Sequence, residues 1–108
     1  MKCLWILTVL TALGFVLAST YAAEQHVVVQ KNKMFAVAEI NIRPRDSVLF
    51  KNEDDVVHNV FSSSPAAQFN LKMQQPGETA SQSFKHEAAV EVRCVVHPGM
   101  KLIVNVTK

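Results

Sequence analysis

The stretch Cys94-Val95-Val96-His97-Pro98-Gly99-Met100 lies between residues 90–94 and residues 102–106, two segments in which apolar and polar residues alternate. Alternation with a period of two is typical of β-strands that bury one face. The stretch therefore predicts a loop between two strands, and this loop holds a thiol, an imidazole and a thioether. Pro98 restricts its own backbone φ angle and Gly99 permits a tight turn, so we expect the loop to be stiff.

His58, far upstream of that loop, is a further candidate ligand. Two histidines, one cysteine and one methionine form the ligand set of blue copper sites, in which a trigonal His₂Cys group is joined by a long, weak axial bond to methionine. Thiolate and thioether sulfur suit Cu(I), whereas imidazole suits both oxidation states. This combination of residues indicates a site that carries one electron on copper.

Residues 1–22 are predicted to be a signal peptide. Lys2 supplies the positive charge, and the nearly apolar run 4–18 is shorter than the ~20 residues of a spanning helix. Cleavage after Ala22 leaves small residues at the recognised positions, and cleavage after Ala23 is the less favourable alternative. An uncleaved membrane anchor is the other interpretation. Residues 23–108 are then a single domain, which we expect in the periplasm without stable membrane insertion.

Charge and cysteine content restrict the function. The chain has 11 basic and 9 acidic residues, and loss of Lys2 lowers its net charge of +2 by one. Such a balance disfavours nucleic acid as a partner, because nucleic-acid binding requires a strongly basic surface. Without Cys3, Cys94 is the single thiol of an exported chain and has no disulfide partner within it. The alternative to a metal ligand is a buried, inert cysteine, which His97 three residues later disfavours.

The mature chain is predicted to be β throughout. Further strands are expected at residues 27–29, 38–42 and 48–51, and turn-forming residues separate them. The irregular segment 62–75 predicts either a short helical turn or an edge strand. We expect Phe35, Phe50, Phe61 and Phe84 to fill the core, since large aromatic rings are usually buried. Short strands with regular turns favour a small Greek-key sandwich.

Three motifs resemble the plastocyanin/azurin family of cupredoxins over nearly the whole mature chain: His58-Asn59-Val60, residues 69–77, and Cys94-x-x-His97-x-x-Met100. The two-residue gap between His97 and Met100 is similar to that of amicyanins. The resemblance implies an all-β, eight-stranded Greek-key β-sandwich. It also implies one copper ion held by His58, Cys94, His97 and Met100, and electron transfer between larger redox proteins.

His97 is expected to be partly exposed on its loop, beside a small apolar face formed by Pro98 and Gly99. A redox protein, either the electron donor or the acceptor, would dock there transiently. We expect a monomer. The acidic residues 53–55 either steer a basic partner or form an ordinary solvated turn. The amide of Asn59 either bonds to the Cys94 segment and supports the site or belongs to a turn.

An electron carrier is the favoured function. The alternatives are a periplasmic copper-binding or delivery protein with the same ligands and a zinc-stabilised domain, which Met100 disfavours. An enzyme is not expected, because the sequence shows no second metal site or paired carboxylates and four ligands leave no open coordination position. His86 is predicted to lie on a surface loop. His26 would join a Cu(II)-binding nitrogen set only if cleavage falls after Ala23.

Overall fold

The computed structural model describes residues 11–14 and 21–108 of the chain. Most of the predicted signal peptide, residues 1–22, lies outside the described residues. Within the described part, no helix has the length and apolar character needed to cross a membrane.

The described residues form nine strands that build two sheets. The strands are β1 (Gln25–Lys31), β2 (Met34–Phe35), β3 (Glu39–Ile42), β4 (Ser47–Asn52), β5 (His58–Ser64), β6 (Ala67–Gln74), β7 (Thr79–Ser83), β8 (Ala88–Arg93) and β9 (Lys101–Val106). One sheet has the order β2-β1-β4-β7 and the other has the order β3-β9-β8-β5-β6. The prediction of an all-β, two-sheet fold is confirmed. The strand number is nine rather than eight, because β2 pairs with the end of β1 as a separate two-residue strand.

The irregular segment 62–75 contains the end of β5 and all of β6. Of the two interpretations of this segment, the edge strand is correct, since β6 is the last strand of its sheet. The irregularity of the sequence has a structural counterpart. The β5–β6 register shifts between Asn59 and Phe61, and Lys72 on the partner strand has a φ of 63°.

The core lies between the two sheets and follows the alternation of their strands. Buried apolar side chains come from both sheets: Val28, Val48 and Phe50 from one, and Val60, Val90, Val92, Leu102, Val104 and Val106 from the other. Phe35, Phe50 and Phe84 are buried as predicted, but the prediction for Phe61 is wrong. Its neighbours Val60 and Ser62 are buried whereas Phe61 is half-buried, because successive side chains of a strand point to opposite faces.

Strand pairing brings the two candidate ligand segments to one end of the sandwich. Strands β5 and β8 are antiparallel neighbours, with Phe61 opposite Arg93. The start of β5, where His58 lies, therefore adjoins the end of β8, where the 94–100 loop begins. The segment 53–57, which connects β4 to β5, lies at the same end.

Candidate metal centre

Three nitrogen and sulfur atoms from two separate segments converge at this end. The Nδ1 atoms of His58 and His97 lie 3.1 Å apart. The Sγ atom of Cys94 lies 3.9 Å from each of them. The two imidazole rings meet at 62° with 4.8 Å between their centroids. The structure thus brings together three of the four residues that the sequence predicts as ligands.

The triangle formed by these atoms has the size of a trigonal metal site. Metal–nitrogen bonds of about 2.0–2.1 Å and a metal–sulfur bond of about 2.3 Å meet at a point close to the plane of such a triangle. A nearly planar His₂Cys group is the arrangement that distinguishes blue copper sites. The residues present therefore fit a copper ion.

Met100 lies at the end of the same loop and belongs to the core cluster that includes Cys94. Its backbone N–H donates to the carbonyl oxygen of His97 at 2.9 Å, which closes a tight turn around Pro98 and Gly99. The side chain is 1% exposed. The thioether of Met100 is therefore sequestered on the loop that carries the thiol and one imidazole.

Burial differs among the candidate ligands. His58 and Cys94 are buried, whereas His97 is partly exposed, as expected for a residue on the loop. Among the three converging residues, His97 is therefore the one whose ring reaches the protein surface.

Asn59 supports the thiol through its backbone rather than through its side chain. Its N–H lies 3.3 Å from Sγ of Cys94 and donates to it. Its amide Nδ2 donates to Oδ1 of Asn70 at 2.9 Å, so of the two interpretations of this side chain the bond to the Cys94 segment is not the one observed. The hydrogen bond that links the two halves of the site therefore comes from the backbone of β5.

Asp54 is a residue in contact with the candidate site that the sequence interpretation missed. Its Oδ2 atom lies 2.9 Å from Nε2 of His58, on the side of the ring away from Cys94. The backbone N–H of Lys33, and next the ring of His58, hold the pKa of Asp54 well below its usual range. The signal in the sequence was an acidic residue four positions before His58, in the segment we interpreted only as a surface turn or a steering patch.

Only part of the acidic segment 53–55 faces the solvent. Asp54 is nearly buried against His58. Glu53 pairs with Lys51 at 3.2 Å, and its carbonyl oxygen accepts a hydrogen bond from Nζ of Lys31. Two of the three carboxylates in the segment are thus engaged within the chain.

A second group of potential ligands, Glu24, His26 and Asp46, lies at the opposite end of β4. The oxygens of the buried Asp46 accept hydrogen bonds from the N–H groups of Glu24 and Arg43, and they lie 2.9 Å from the Tyr21 hydroxyl and from Nε2 of His26. With its lone pairs so engaged, Asp46 has a structural role. His26 belongs to this group, and His86 is exposed as predicted.

Comparison with known proteins agrees with copper as the metal and with the observed fold. A family model described as copper binding proteins, plastocyanin/azurin family, matches residues 23–107. The methylamine utilization protein MauL of Methylophilus methylotrophus is 27% identical over 88 residues, covering 77% of this chain and 51% of MauL. The chain thus spans about half the length of the curated relative that it matches.

Two solved structures show the same fold. A Cu(I) form of a methionine-to-alanine variant of amicyanin superposes with a TM-score of 0.72 at 21% identity, covering 77% of this chain and 82% of amicyanin. A purple cupredoxin from Nitrosopumilus maritimus superposes with a TM-score of 0.68 at 19% identity, covering 76% of this chain and 99% of that protein. Since the family match extends over all nine strands of the two sheets, the chain belongs to the plastocyanin/azurin family of copper-binding proteins, and copper is its cofactor.

Proposed function

We propose that the protein is a small electron carrier whose copper ion is held by His58, Cys94, His97 and Met100. The observation that carries this proposal is the convergence of two imidazole nitrogens and one thiol sulfur at separations of 3.1–3.9 Å. Copper bound there supplies one-electron chemistry through its Cu(I) and Cu(II) states. The chain's own residues supply a fixed geometry, a low-dielectric environment and a route to the surface.

The rigidity of the ligand loop supports electron transfer, because a site that is held still rearranges little when the charge changes. Strands β8 and β9 pair along their whole length and clamp both ends of the loop. Within the loop, Met100 N–H donates to the His97 carbonyl, and Arg93 Nη2 donates to the carbonyl oxygen of Pro98 at 3.1 Å. Sites supported by strands are held more precisely than sites on unsupported loops.

The surface around His97 suits transient docking of a redox protein. Val95 is 61% and Val96 is 46% exposed, and Pro98 and Gly99 beside the imidazole are exposed as well. An exposed apolar face of this kind marks a contact site, and weak redox encounters use small interfaces. We propose that the electron donor and the electron acceptor dock here in turn on a monomeric protein.

Export to the periplasm is part of the proposal. The apolar run 4–18 and the small residues up to Ala22 support a signal peptide. The family match begins at residue 23, and β1 begins at Gln25, which supports a single domain over residues 23–108.

Copper delivery is the second candidate function, and the position of Met34 favours it. This methionine is 63% exposed and lines the same groove, of about 180 Å³, as Gly99 and Met100. A thioether is a ligand suited to Cu(I). An exposed thioether next to the site would assist the transfer of Cu(I) to or from another protein.

The first experiment is absorption and electron paramagnetic resonance spectroscopy of the metal-free protein after addition of one equivalent of Cu(II). We expect an intense blue band with narrow copper hyperfine splitting, bleached by a mild reductant. Cys94→Ser, which removes the thiolate, should lose the band. His86→Asn, which changes an exposed histidine away from the site, should keep it. A pale wild-type product, or a blue Cys94→Ser variant, contradicts the ligand assignment.

Retention of Cu(I) separates the two candidate functions. The reduced protein is mixed with a Cu(I) chelator of graded strength and, separately, taken through repeated cycles of oxidation and reduction. A carrier retains its copper in both experiments. Ready loss of Cu(I), slowed by Met34→Leu, supports delivery instead.

A further inference from the structure

We propose that Asp54 is a positioning residue of the copper site: it fixes the ring of His58 and, through its negative charge, favours Cu(II) over Cu(I). This inference rests on the proposed role of His58 as a ligand. The distance that carries it is the 2.9 Å between Oδ2 of Asp54 and Nε2 of His58, the ring nitrogen that faces away from Cys94.

The contact determines which nitrogen of His58 is available to a metal. His58 is 0% exposed, so Nε2 has no solvent partner. A carboxylate without a proton only accepts hydrogen bonds, and Nε2 must therefore carry the hydrogen. The lone pair is then left on Nδ1, the atom that lies 3.1 Å from Nδ1 of His97. Outer partners of this kind orient a ligating histidine and increase its basicity.

Asp54 is itself held from two directions. The N–H of Lys33 donates to Oδ2 at 2.7 Å, and the N–H of Asp55 donates to Oδ1 at 3.1 Å. The backbone N–H of Asp54 donates to Oδ1 of Asn52 at 2.9 Å. These hydrogen bonds hold the carboxylate of Asp54 in place, so it cannot move with the ring of His58. The contact with this immobile carboxylate therefore fixes the orientation of the His58 ring.

The donor from Lys33 lies in the tight turn that joins β1 to β2. Asn32 and Lys33 have φ angles of 53° and 58°, as a two-residue hairpin turn requires at both of its central positions. This turn directs the N–H of Lys33 at the carboxylate of Asp54. The position of the donor is therefore fixed by the pairing of β1 with β2.

The charge of Asp54 has a predictable effect on the copper. A negative group in a nearly buried position interacts more strongly with nearby charges than it would in water. It stabilises the more positive ion, Cu(II), and transmits electron density to the metal through the hydrogen-bonded ring. The reduction potential is therefore lower with Asp54 than with a neutral residue in its place.

Two substitutions separate the charge of Asp54 from its hydrogen bond. Asp54→Asn keeps an oxygen that accepts from Lys33 and His58 and removes the charge, while its NH₂ group replaces Oδ1, the acceptor of the Asp55 N–H. Asp54→Ala removes both. Asp55→Asn is the matched control, because it neutralises the adjacent, exposed carboxylate, and Asp55 contacts Asp54 through its backbone N–H.

The first measurement uses the metal-free protein, so its result does not depend on whether copper binds. Nitrogen-15 NMR should show a single His58 tautomer with a slowly exchanging hydrogen on Nε2 in the wild type and in Asp55→Asn. Asp54→Ala should lose the slow exchange. The same His58 signals in Asp54→Ala as in the wild type would overturn the positioning role.

The second readout is the reduction potential and the copper affinity of the loaded protein. We expect Asp54→Asn to stay blue while its preference for Cu(II) over Cu(I) falls about tenfold, which raises the potential by about 59 mV. Asp54→Ala should weaken Cu(II) binding by about 10- to 100-fold. Equal potentials in Asp54→Asn and Asp55→Asn would overturn the effect of the charge. A wild type that never turns blue contradicts the proposed function, and the NMR readout still decides the positioning role.

Discussion

Replacement of Asp46 by asparagine should destabilise the fold strongly, although it adds and removes almost no volume. The side chain is 1% exposed and lies in the turn before β4. Its two oxygens accept hydrogen bonds at 2.9–3.0 Å from the N–H groups of Glu24 and Arg43, and one lies 2.9 Å from Nε2 of His26. Asp46 thus ties the beginning of β1 to β4.

The expected loss follows from the number of donors that an amide cannot satisfy. Asparagine presents one NH₂ group where aspartate presents an oxygen, so either the Glu24 N–H or the Arg43 N–H loses its acceptor. A buried donor left without a partner costs about 1–3 kcal/mol. The remaining hydrogen bonds also become weaker, because they then end on a neutral amide instead of a charged carboxylate. We therefore expect the free energy of unfolding to fall by about 2–4 kcal/mol at pH 7. Removal of Tyr21 with a signal peptide does not alter this expectation, because the backbone donors remain.

The effect should depend on pH in a definite direction. Burial raises the pKa of Asp46, but the hydrogen bonds from Glu24, His26, Arg43 and Tyr21 outweigh burial and hold the pKa well below its usual range. A lowered pKa in the folded state gives stability that is fully present above the unfolded value of about 3.9 and is lost as the pH falls toward the folded value. The difference between wild type and Asp46→Asn should therefore shrink once the pH falls below about 5.

Urea unfolding of the metal-free protein, followed by far-ultraviolet circular dichroism at pH 7 and pH 3, measures both effects. Glu78→Gln, which changes an exposed carboxylate, is the matched control and should shift stability by less than about 0.5 kcal/mol. A loss in Asp46→Asn as small as that of the control, or a loss of equal size at both pH values, would refute the reasoning.

Met100→Gln should keep copper bound and lower the reduction potential, because an amide oxygen is a harder donor than a thioether and favours Cu(II). Voltammetry measures the shift with Met73→Gln as the exposed control, and an unchanged potential would remove Met100 from the ligand set. Phe50→Ala should lower the free energy of unfolding by about 3–5 kcal/mol, since the ring is 0% exposed and its centroid lies 6.1 Å from that of Phe35. Urea unfolding measures this loss. A loss of less than about 1 kcal/mol would contradict the prediction, because it would mean that the surrounding core side chains close the space left by the ring.

The positions of the strands were largely predictable because alternation is a local property. Strands β8 and β9 were predicted within two residues of their observed bounds, and the side chains predicted to face inward, Val90, Val92, Leu102, Val104 and Val106, are buried. The same rule failed for Phe61, where ring size outweighed alternation in our prediction, although Val60 beside it occupies the inward position. Strand β2 was missed because two residues carry no periodicity.

The sequence predicted which side chains form the candidate site, but it predicted less well the hydrogen bonds that hold them in place. The spacing Cys94-x-x-His97-x-x-Met100 is visible in the sequence because three of the residues lie on one loop. The donor to the thiol is a backbone N–H of Asn59, and backbone groups have no sequence signature. One of our two interpretations of Asn59 gave this bond to its side chain, but the structure directs that side chain to Asn70.

The sequence by itself determined the β class and the kind of metal site, since alternation and side-chain chemistry are properties of single residues and their near neighbours. Only the tertiary structure decided that the Nδ1 atoms of His58 and His97 face the thiol. Only the tertiary structure, too, shows that Asp54 contacts a residue of the candidate metal site, whereas Asp46 stabilises the start of β1 and β4. Both residues are acidic and lie within 3 Å of a histidine nitrogen. They differ in their position, because they lie at opposite ends of β4, and in the hydrogen-bond donors that the fold places around them. Such contacts depend on strand pairing and loop closure over long sequence separations, which no local pattern encodes.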